Sequence, residues 1–504
     1  MNIFQLLDNA ATRFPDRPAL CLGTEVIASW AELRRRTLGL AGTLAHYPTG
    51  SRIVIASKNC PDYVTILFAT WAAGHVVVPI NFKLHAREMK QIIADSGGVL
   101  VFASAALTEA IQALDSCDTD MVTIGSPGFE GRCNEPPKQP ADPSPDDLAW
   151  LFFTSGTTGR SKGAMLTYRN LLAMSVAHLA DFEDIGEDMG IVHAAPMSHG
   201  SGLYILPYVA RAARQIIPRS GGFDTAEFLA LCAHHGGVGA FLAPTMLQRL
   251  RMAVAGGEGE AAPGLRNVIY GGGPMYLAEI KKALAVFGPR FCQLYGQGES
   301  PMTITGLRRR DFETPDDDVL ASVGWPRSGM EVQVVDPEGT VMPLGSVGEI
   351  RRRGDIVMAG YWNNPTATDA TLNNGWLMTG DTGAFDANGM LTLRDRTKDV
   401  IISGGTNIYP REVEEVLLRC PGVSEVSVVG EPDEEWGETV VAFVVLDEAS
   451  GAVDAARLDA HCLDQIARFK RPKRYIFLDS LPKSSYGKIL KRVLIEQLSR
   501  YPME

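Results

Sequence analysis

The sequence lacks paired cysteines, an excess of basic residues and a recognisable secretory signal. Its eight cysteines are scattered over 504 residues without a C-x-x-C pair, which argues against a zinc site or a disulfide framework. A net charge of -12 argues against a nucleic-acid partner, because phosphate-backbone binding favours a basic surface. The N-terminal stretch MNIFQLLDNA has no basic segment followed by an apolar one. We therefore expect a cytoplasmic protein.

A long uninterrupted apolar run is also missing. The most apolar window, YVTILFATWAAGHVVVPI, is interrupted at Gly74, His75 and Pro79. It predicts a buried helix, a turn and a short strand rather than a membrane span. With a hydrophobic content of 45%, the chain has ample material for a globular core.

Residues 154–163, TSGTTGRSKG, have the chemistry of a phosphate-binding loop without its standard spacing. The loop follows the apolar run LAWLFF and combines glycines, hydroxyl side chains and Lys162. Turns of this kind present backbone N–H groups to an anion, and hydroxyl and ammonium groups add donors. The pattern G-x-x-x-x-G-K-[ST] fails, because Ser161 and Gly163 occupy two of its required positions. The loop therefore predicts a phosphate cradle that differs from that of P-loop NTPases, with an ordinary flexible turn as the alternative.

Short β-rich runs alternate with helical stretches through about the first four hundred residues. Strand-like runs include RIVIAS, VLVFAS, VGAFLAP, NVIYGGG and FCQLYG, and helical runs include PDYVTILFATWAA, TAEFLALCAHH and LAEIKKALAVF. Such alternation is typical of parallel sheets covered by helices, in which ligands bind beyond the carboxyl ends of the strands. We expect the loop at 154–163, YGGGP and YGQGES to share one rim.

The pattern changes after about residue 330. MEVQVVDPEGTVMPLGSVGEIRRRG predicts β-hairpins of a small β-barrel-like part, and the last hundred residues predict a compact α+β unit. We predict an α/β fold with a large N-terminal domain of helix-covered parallel sheets at residues 1–397. A small, mobile α+β C-terminal domain follows at residues 398–504.

Five motifs occur in a fixed order: TSGTTGRSKG, YGQGES, TGD at 379–381, DRTKDVIISGG at 395–405 and PKSSYGKILKR at 482–492. Together they resemble the adenylate-forming family of acyl- and aryl-CoA synthetases, peptide-synthetase adenylation domains and beetle luciferases. EEWGETV and RFKRPKRY are most similar to aryl-CoA ligases of the 4-chlorobenzoate type. The resemblance implies that a carboxylate and ATP give an acyl-adenylate and pyrophosphate, with Mg²⁺, and that a thiol, usually coenzyme A, then displaces AMP.

The resemblance also implies roles for individual residues. Lys488, Glu299 and His199 would be catalytic: Lys488 would bridge the α-phosphate and the carboxylate, and Glu299 would hold Mg²⁺. Tyr295 would stack on adenine, and Asp381 would accept hydrogen bonds from the ribose hydroxyls. The implied ATP- and AMP-binding residues are Thr154, Ser155, Gly156, Thr157, Thr158, Gly159, Lys162, Gly272, Gly273, Tyr295, Gly296, Asp381 and Arg396. The alternatives are ordinary ones: a solvated carboxylate for Glu299, a core aromatic for Tyr295 and a helix cap for TGD.

The implied second step uses the C-terminal domain. Lys398 would be the hinge, and a rotation there would exchange Lys488 for a loop that lines the path of coenzyme A. The implied coenzyme A contacts are Ser403, Gly404, Gly405, Trp436, Phe469 and Arg471. The glycines could instead form an ordinary turn, and the two aromatic residues could belong to the core.

The acyl pocket is the least defined part of the site. His199, Gly272, Gly296 and Met302 fall where the family lines this pocket, although His199 could equally be a satisfied interior histidine. No Asp occupies the position that would pair with a substrate ammonium, so we expect a bulky, apolar, aromatic or medium-chain acid. Gly298 stands where the family usually has a Thr whose hydroxyl reaches the α-phosphate, which puts the detail of the phosphate contacts in doubt.

These observations predict an AMP-forming carboxylate–CoA ligase that uses ATP, Mg²⁺, coenzyme A and a small-molecule carboxylic acid. We expect no nucleic-acid partner, no membrane span and a monomer or homodimer. The alternative is a stand-alone adenylation enzyme that passes the acyl group to a carrier protein or another acceptor.

Overall fold

The computed structural model describes residues 1–114, 119–154, 161–255, 261–396, 399–403, 406–433, 436–447, 453–484 and 488–501. In chain order, the α-helices of these ranges are α1 (Phe4–Arg13), α2 (Trp30–Leu44), α3 (Pro61–Ala72), α4 (Ala86–Ser96), α5 (Ala105–Gln112), α6 (Pro127–Cys133), α7 (Tyr168–Asp181), α8 (Gly200–Leu203), α9 (Ile205–Ala210), α10 (Thr225–His235), α11 (Pro244–Ala255), α12 (Leu277–Phe287), α13 (Asp317–Ala321), α14 (Pro365–Thr371), α15 (Pro410–Leu417), α16 (Ala455–Gln465) and α17 (Lys491–Gln497).

The strands, in the same order, are β1 (Pro18–Leu22), β2 (Glu25–Ser29), β3 (Arg52–Ala56), β4 (Val76–Ile80), β5 (Gly98–Ala103), β6 (Asp120–Thr123), β7 (Leu148–Thr154), β8 (Lys162–Thr167), β9 (Gly190–Val192), β10 (Arg214–Ile217), β11 (Val238–Leu242), β12 (Leu265–Tyr270), β13 (Phe291–Gln297), β14 (Ser300–Leu307), β15 (Trp325–Pro326), β16 (Met330–Val335), β17 (Gly348–Gly354), β18 (Leu372–Asn373), β19 (Trp376–Phe385), β20 (Leu391–Arg396), β21 (Ile401–Ser403), β22 (Thr406–Ile408), β23 (Val423–Asp433), β24 (Gly437–Leu446) and β25 (Arg474–Phe477).

Two mixed sheets form the centre of the N-terminal domain. One has nine strands in the order β15-β14-β13-β12-β11-β9-β10-β1-β2, and the other has six in the order β6-β5-β3-β4-β7-β8. Their central neighbours are parallel, whereas β2, β8, β14 and β15 pair antiparallel at the edges. Helix α3 contacts strands of both sheets and is apolar on nearly every side, as a helix enclosed by other elements must be. The apolar window at residues 63–80 is therefore a buried helix and strand, as predicted.

A five-stranded antiparallel sheet follows, in the order β16-β17-β19-β18, with β20 on β19. Its inner face packs against β13 and β14 through Tyr295, Ile304, Val334, Ile350 and Leu391. The strand pairings of the described residues leave this sheet open. The part predicted to be barrel-like is thus an open sheet, and β13 and β14 of the nine-stranded sheet cover its inner face.

The C-terminal domain has its own five-stranded sheet, in the order β22-β21-β24-β23 with β25 parallel to β24. Helices α15, α16 and α17 cover it, and two separate apolar clusters form its core. The predicted α/β fold with a large N-terminal domain and a small α+β C-terminal domain is confirmed. The proposed boundary residues, 397 and 398, lie outside the described residues.

Two further expectations concern the whole chain. None of the helices described is long and apolar enough to cross a membrane. The seven cysteines for which the structure gives a position are free thiols, and most of them are buried.

Candidate active site

The predicted phosphate loop joins two antiparallel strands at the edge of the six-stranded sheet. Thr154 at the end of β7 is paired with Lys162 at the start of β8. Between them, Ser155, Gly156, Thr157, Thr158 and Gly159 lie outside the described residues. The Thr154 hydroxyl donates to Glu299 Oε1 at 3.4 Å, and Lys162 Nζ lies 5.2 Å from the centre of the Tyr361 ring. The two ends of the loop thus place a hydroxyl and an ammonium group beside the second motif.

Glu299 lies in the turn between β13 and β14 and is held by the loop that precedes α14. The Tyr361 hydroxyl donates to Glu299 Oε1 at 2.8 Å, and the Met358 amide donates to the Glu299 carbonyl. Burial and the charge of Glu299 raise the pKa of Tyr361, so its phenol remains a donor. The carboxylate is therefore held through Oε1 by two hydroxyl groups.

Asp381 lies in β19 at the centre of a short hydrogen-bond network. Its Oδ2 accepts from the Tyr295 hydroxyl and from Gln297 Nε2, both at 2.6 Å. Arg396, paired with Asp381 across β19 and β20, places Nε 3.5 Å from Oδ1. Burial, followed by the Asp381 charge, raises the pKa of Tyr295 well above its usual value. Three of the predicted nucleotide-binding residues, Tyr295, Asp381 and Arg396, are therefore in contact.

The glycine loop after β12 is close to β13. A Cβ on Gly271 would lie 2.6 Å from the Leu294 carbonyl oxygen, so only glycine permits this approach. Gly272 has φ of +77°, which favours glycine, and a Cβ there would be 3.8 Å from the Phe241 ring. A Cβ on Gly273 would touch Pro244 at 3.8 Å. Together with the contact between Thr154 and Glu299, this proximity agrees with the expectation of one rim for the described parts of the three loops.

His199 is positioned where β9 leads into α8. Its ring lies 4.8 Å from that of Phe152, centre to centre. Burial and the charge of Lys488 lower the pKa of His199 to about 3, so the imidazole is neutral. The wall nearby includes Phe241, whose ring would lie 2.8 Å from a Cβ on Gly200. This corner of the site is apolar and aromatic.

Gly296 and Met302 are in direct contact. A Cβ on Gly296 would lie 2.8 Å from the Met302 backbone, and Met302 is buried with φ of +57°. This close approach is sufficient to explain why position 296 is a glycine. The space beside Gly296 is filled on this side by protein backbone.

Gly298 is the position at which the chain departs from the family pattern, and the structure gives a steric reason. A Cβ there would lie 2.6 Å from the Thr154 methyl carbon and 2.8 Å from the Phe152 ring. Both distances are shorter than real carbon contacts. Thr154 therefore occupies the space beside Glu299 that a side chain at position 298 would enter.

Lys488 comes from the C-terminal domain and faces the N-terminal site. Its pKa is lowered by the surrounding protein and by Arg396, whereas Asp381 and Glu299 raise it. The residue as a whole is nevertheless exposed to solvent. The structure thus brings the charge of Lys488 within range of Glu299, Asp381, Arg396 and His199.

The contacts between the domains involve helix α15 and the segment before α12. The Tyr276 hydroxyl donates to Glu414 at 2.8 Å, and Arg411 donates to the Met275 carbonyl at 3.1 Å. The Leu277 amide, at the start of α12, donates to Glu415 at 3.3 Å. These contacts attach the C-terminal domain to the segment that continues from Gly271–Gly273.

The residues predicted to contact coenzyme A lie on the C-terminal domain. Ser403 is paired with Gly437 across β21 and β24, next to Trp436. Trp436 and Phe469 are 47% and 49% exposed, so the alternative that they belong to the core is wrong. Arg471 forms an ion pair with Asp459. Lys398, Gly404 and Gly405 lie outside the described residues.

Four residues of this site were not predicted from the sequence: Phe241, Gln297, Tyr361 and Arg352, whose Nη1 donates to Gln297 Oε1 at 3.2 Å. The alternation of β13 could have identified Gln297, because it lies two positions after Tyr295 and therefore on the same face. The other three reach the site from distant parts of the chain, and no local pattern marks them.

Comparison with known proteins agrees with this geometry. The AMP-binding enzyme family matches residues 7–362, and the family described as the AMP-binding enzyme C-terminal domain matches residues 412–488. The fatty acid–[acyl-carrier-protein] ligase ScoC of Streptomyces coeruleorubidus is 34% identical, covering 95% of this chain and 93% of that protein. The feruloyl-CoA synthase of an Amycolatopsis species is 35% identical over 92% of each chain.

Among solved structures, ATP-bound MatB from Rhodopseudomonas palustris is 29% identical, with a TM-score of 0.88 over 100% of each chain. The apo form of MatB gives a TM-score of 0.78 over 99% of each chain. The resemblance to 4-chlorobenzoate ligases in particular stays a prediction. The two family matches span most of the sequence, and this chain belongs to the AMP-binding enzyme family.

Proposed function

We propose that this protein is an ATP-dependent ligase that activates a carboxylic acid as its acyl-adenylate and transfers the acyl group to coenzyme A. The observation that carries this proposal is the position of Lys488. A cation from one domain lies within electrostatic range of Glu299, Asp381 and Arg396 of the other. A protein that only bound a nucleotide would not need it there.

In the first half-reaction, a carboxylate oxygen attacks the α-phosphorus, the bond from phosphorus to the bridging oxygen breaks, and pyrophosphate leaves. Negative charge increases around the phosphorus, so fixed cations stabilise the transition state. Lys488 would contact the α-phosphate and the attacking carboxylate. Lys162 and the loop residues Thr154, Ser155, Gly156, Thr157, Thr158 and Gly159 would hold the phosphates that leave.

The residues present fit a magnesium ion that is bound mainly through the nucleotide. No group of three or more His, Cys, Asp or Glu side chains gathers among the described residues. Mg²⁺ commonly uses one or two carboxylates together with substrate phosphates and water. Glu299, fixed through Oε1 by Tyr361 and Thr154, would supply that carboxylate, and the ion would neutralise phosphate charge.

The adenosine would bind between the glycine loop and β13. Gly272 and Gly273 would let the base lie against the backbone, with the Tyr295 ring on its other side. Asp381 and Arg396 would bind the ribose, because a carboxylate accepts hydrogen bonds and a guanidinium donates them. The higher TM-score with the ATP-bound than with the apo form of MatB supports a chain arranged for this step.

In the second half-reaction, the thiol sulfur attacks the acyl carbon, the bond from that carbon to the AMP oxygen breaks, and AMP leaves. We propose that the C-terminal domain begins at Lys398 and rotates there between the two steps. Rotation would remove Lys488 and bring Ser403, Gly404 and Gly405 to the acyl group. The exposed Trp436 and Phe469, with Arg471, would bind the nucleotide part of coenzyme A.

The acid would be uncharged apart from its carboxylate, and aromatic or of medium chain length. His199 is neutral, and Phe152, Phe241 and Met302 surround this corner with apolar groups. A charged or strongly polar side chain would lose its hydration there without gaining a partner.

A second acceptor has one observation in its favour. A relative of 34% identity is named as a ligase for an acyl-carrier protein, so the acyl group could pass to a carrier protein instead of coenzyme A. The free cysteines fit a reducing cytoplasm, where either acceptor would be available. We propose a monomer or homodimer in that compartment.

The test is ATP–pyrophosphate exchange with a panel of carboxylic acids, each assayed without acceptor, with coenzyme A and with an acyl-carrier protein. Exchange with aromatic or medium-chain acids and thioester formation with coenzyme A would support the proposal. Exchange only with α-amino acids or acetate would contradict the substrate class. Thioester formation only with the carrier protein would favour the second acceptor.

A further inference from the structure

Arg352 is a buried charge that the proposed mechanism does not use. It lies in β17 with a side chain that is 0% exposed. Its Nη1 donates to Gln297 Oε1 at 3.2 Å, while Nε and Nη2 have no hydrogen-bond partner among the described residues. No carboxylate in the described part of the chain lies close enough to form an ion pair with it. The charges of Glu299 and Asp381 act on the guanidinium from a distance, but its one hydrogen bond among the described residues is to the neutral Gln297 amide.

Such a residue is costly to keep. A guanidinium remains charged at every ordinary pH, and burying it without a paired carboxylate loses hydration that one amide cannot replace. Apolar residues of similar volume are often as stabilising as buried charges, or more so. A role in stability therefore does not explain Arg352. Its one hydrogen bond, to Gln297, indicates a different role.

That hydrogen bond fixes the orientation of an amide. Arg352 can only donate, so it requires the Gln297 oxygen on its side. The NH2 group of Gln297 then faces the Thr379 carbonyl at 3.0 Å and Asp381 Oδ2 at 2.6 Å. Both partners accept, so all three contacts require the same orientation of the amide. Reversing the amide would place two oxygens against each other at Asp381.

The same network differentiates the two oxygens of Asp381. Oδ2 already accepts from Tyr295 and Gln297, whereas Oδ1 has the longer contact with Arg396 at 3.5 Å. We propose that Arg352 is a positioning residue for Asp381. By fixing the Gln297 amide, it keeps Oδ2 engaged with the protein and directs Oδ1 at one ribose hydroxyl. This inference rests on the proposed function, in which Asp381 binds the ribose.

The perturbation is Arg352→Met, which removes the donor and the charge but retains most of the volume. The dissociation constant of ATP should rise about tenfold, equivalent to the loss of one modest hydrogen bond. The preference for ATP over 2′-deoxy-ATP or 3′-deoxy-ATP should shrink for one of the two analogues and not for the other. The melting temperature should stay the same or rise, which a structural role would not produce.

Three variants complete the design. Arg352→Lys keeps a cationic donor and should restore part of the preference. Arg353→Met makes the same substitution on the exposed side of the same strand, where the side chain pairs with Glu331 at 2.7 Å, and should bind ATP as the wild type does. Gln297→Leu should resemble Arg352→Met, and the double variant should be no worse than either single variant, because both act through one contact.

Calorimetric binding of ATP and the two deoxy analogues is the readout, because it needs neither the acid nor an acceptor. The inference would be overturned if Arg352→Met bound ATP and each deoxy analogue with the same affinities as the wild type does. It would also be overturned if the effects of Arg352→Met and Gln297→Leu were additive. Either result would leave the proposed function intact. Normal nucleotide binding without acid-dependent pyrophosphate exchange would overturn the proposed function alone. A wild type that does not bind ATP would overturn both.

Discussion

The hydrogen bond between Tyr276 and Glu414 allows the domain arrangement to be weakened without disturbing either domain. Tyr276→Phe removes one hydroxyl and keeps the ring. Glu414 retains two partners inside its own domain, the Lys491 ammonium at 3.1 Å and the Val428 amide at 2.8 Å. Burial and Glu414 raise the pKa of Tyr276 well above its usual value, so the hydroxyl is a donor at any working pH. The substitution therefore acts on the contact between the domains.

The expected magnitude follows from these partners. A hydrogen bond to a charged group contributes about 1.5–3 kcal/mol, but both groups regain water when the domains separate. Because Glu414 stays paired, no unpaired charge adds to the loss. We expect the described arrangement to be destabilised by about 1–2 kcal/mol, or roughly 5–30-fold in population.

The assay compares the two half-reactions at ATP concentrations well below saturation. Pyrophosphate exchange should fall by that factor, and thioester formation from supplied acyl-AMP should be unchanged or faster. Tyr168→Phe is the matched control, because the Tyr168 hydroxyl donates to the Trp71 carbonyl at 3.2 Å inside the N-terminal domain. Equal losses in both half-reactions, or none in exchange, would refute the assignment of this contact to the adenylation arrangement.

Three further outcomes are expected. Lys488→Ala should lower acyl-adenylate formation, measured by pyrophosphate exchange, at least about 100-fold. Thioester formation from supplied acyl-AMP should be largely spared. Equal losses in the two assays would contradict the role of Lys488. Gly298→Thr should cost about 1–3 kcal/mol of unfolding free energy, because its Cβ would meet Thr154 and Phe152; an unchanged denaturation midpoint would contradict the steric argument. Burial lowers the pKa of His193 from 6.5 to about 4, so the folded state binds fewer protons than the unfolded state between these values. Stability should be fully present above pH 6.5 and fall by about 3 kcal/mol as the pH drops through 4, and urea unfolding of His193→Gln should show a weaker dependence in this window.

Much of the fold could be predicted because the signals are local. Helices at residues 225–235 and 277–287 have the predicted bounds, since each is a continuous apolar pattern that ends at a glycine. The basic amphipathic pattern GKILKRVLIEQLSR predicts a last helix from residue 487, but the helix begins at Lys491. The residues before it pair instead with the chain at 482 and 483, through Leu490 to Pro482 and Lys483 to Ile489. A tertiary contact there overrides the helical pattern.

The site divides in the same way. Thr154, Tyr295, Glu299 and Asp381 belong to motifs, so their order in the sequence identified them. Arg352 did not stand out, because a run of three arginines after a hairpin indicates a charged surface, and only the packing of β17 on β13 shows that the middle one is buried. Sequence motifs therefore identify site residues that lie within one loop, but not those that a neighbouring strand contributes.

The three consecutive arginines also affect how β17 can find its place during folding. Shifting a strand by one residue exchanges its two faces, yet such a shift here would bring another arginine to the buried position. The arginine run therefore cannot distinguish correct pairing from a neighbouring misalignment. The correct register of β17 is instead set by the two ends of the strand. Ile350 is fully buried opposite Val334, and Gly354, with φ of +147°, approaches the Gly329 carbonyl so closely that a Cβ would lie 2.3 Å from its oxygen.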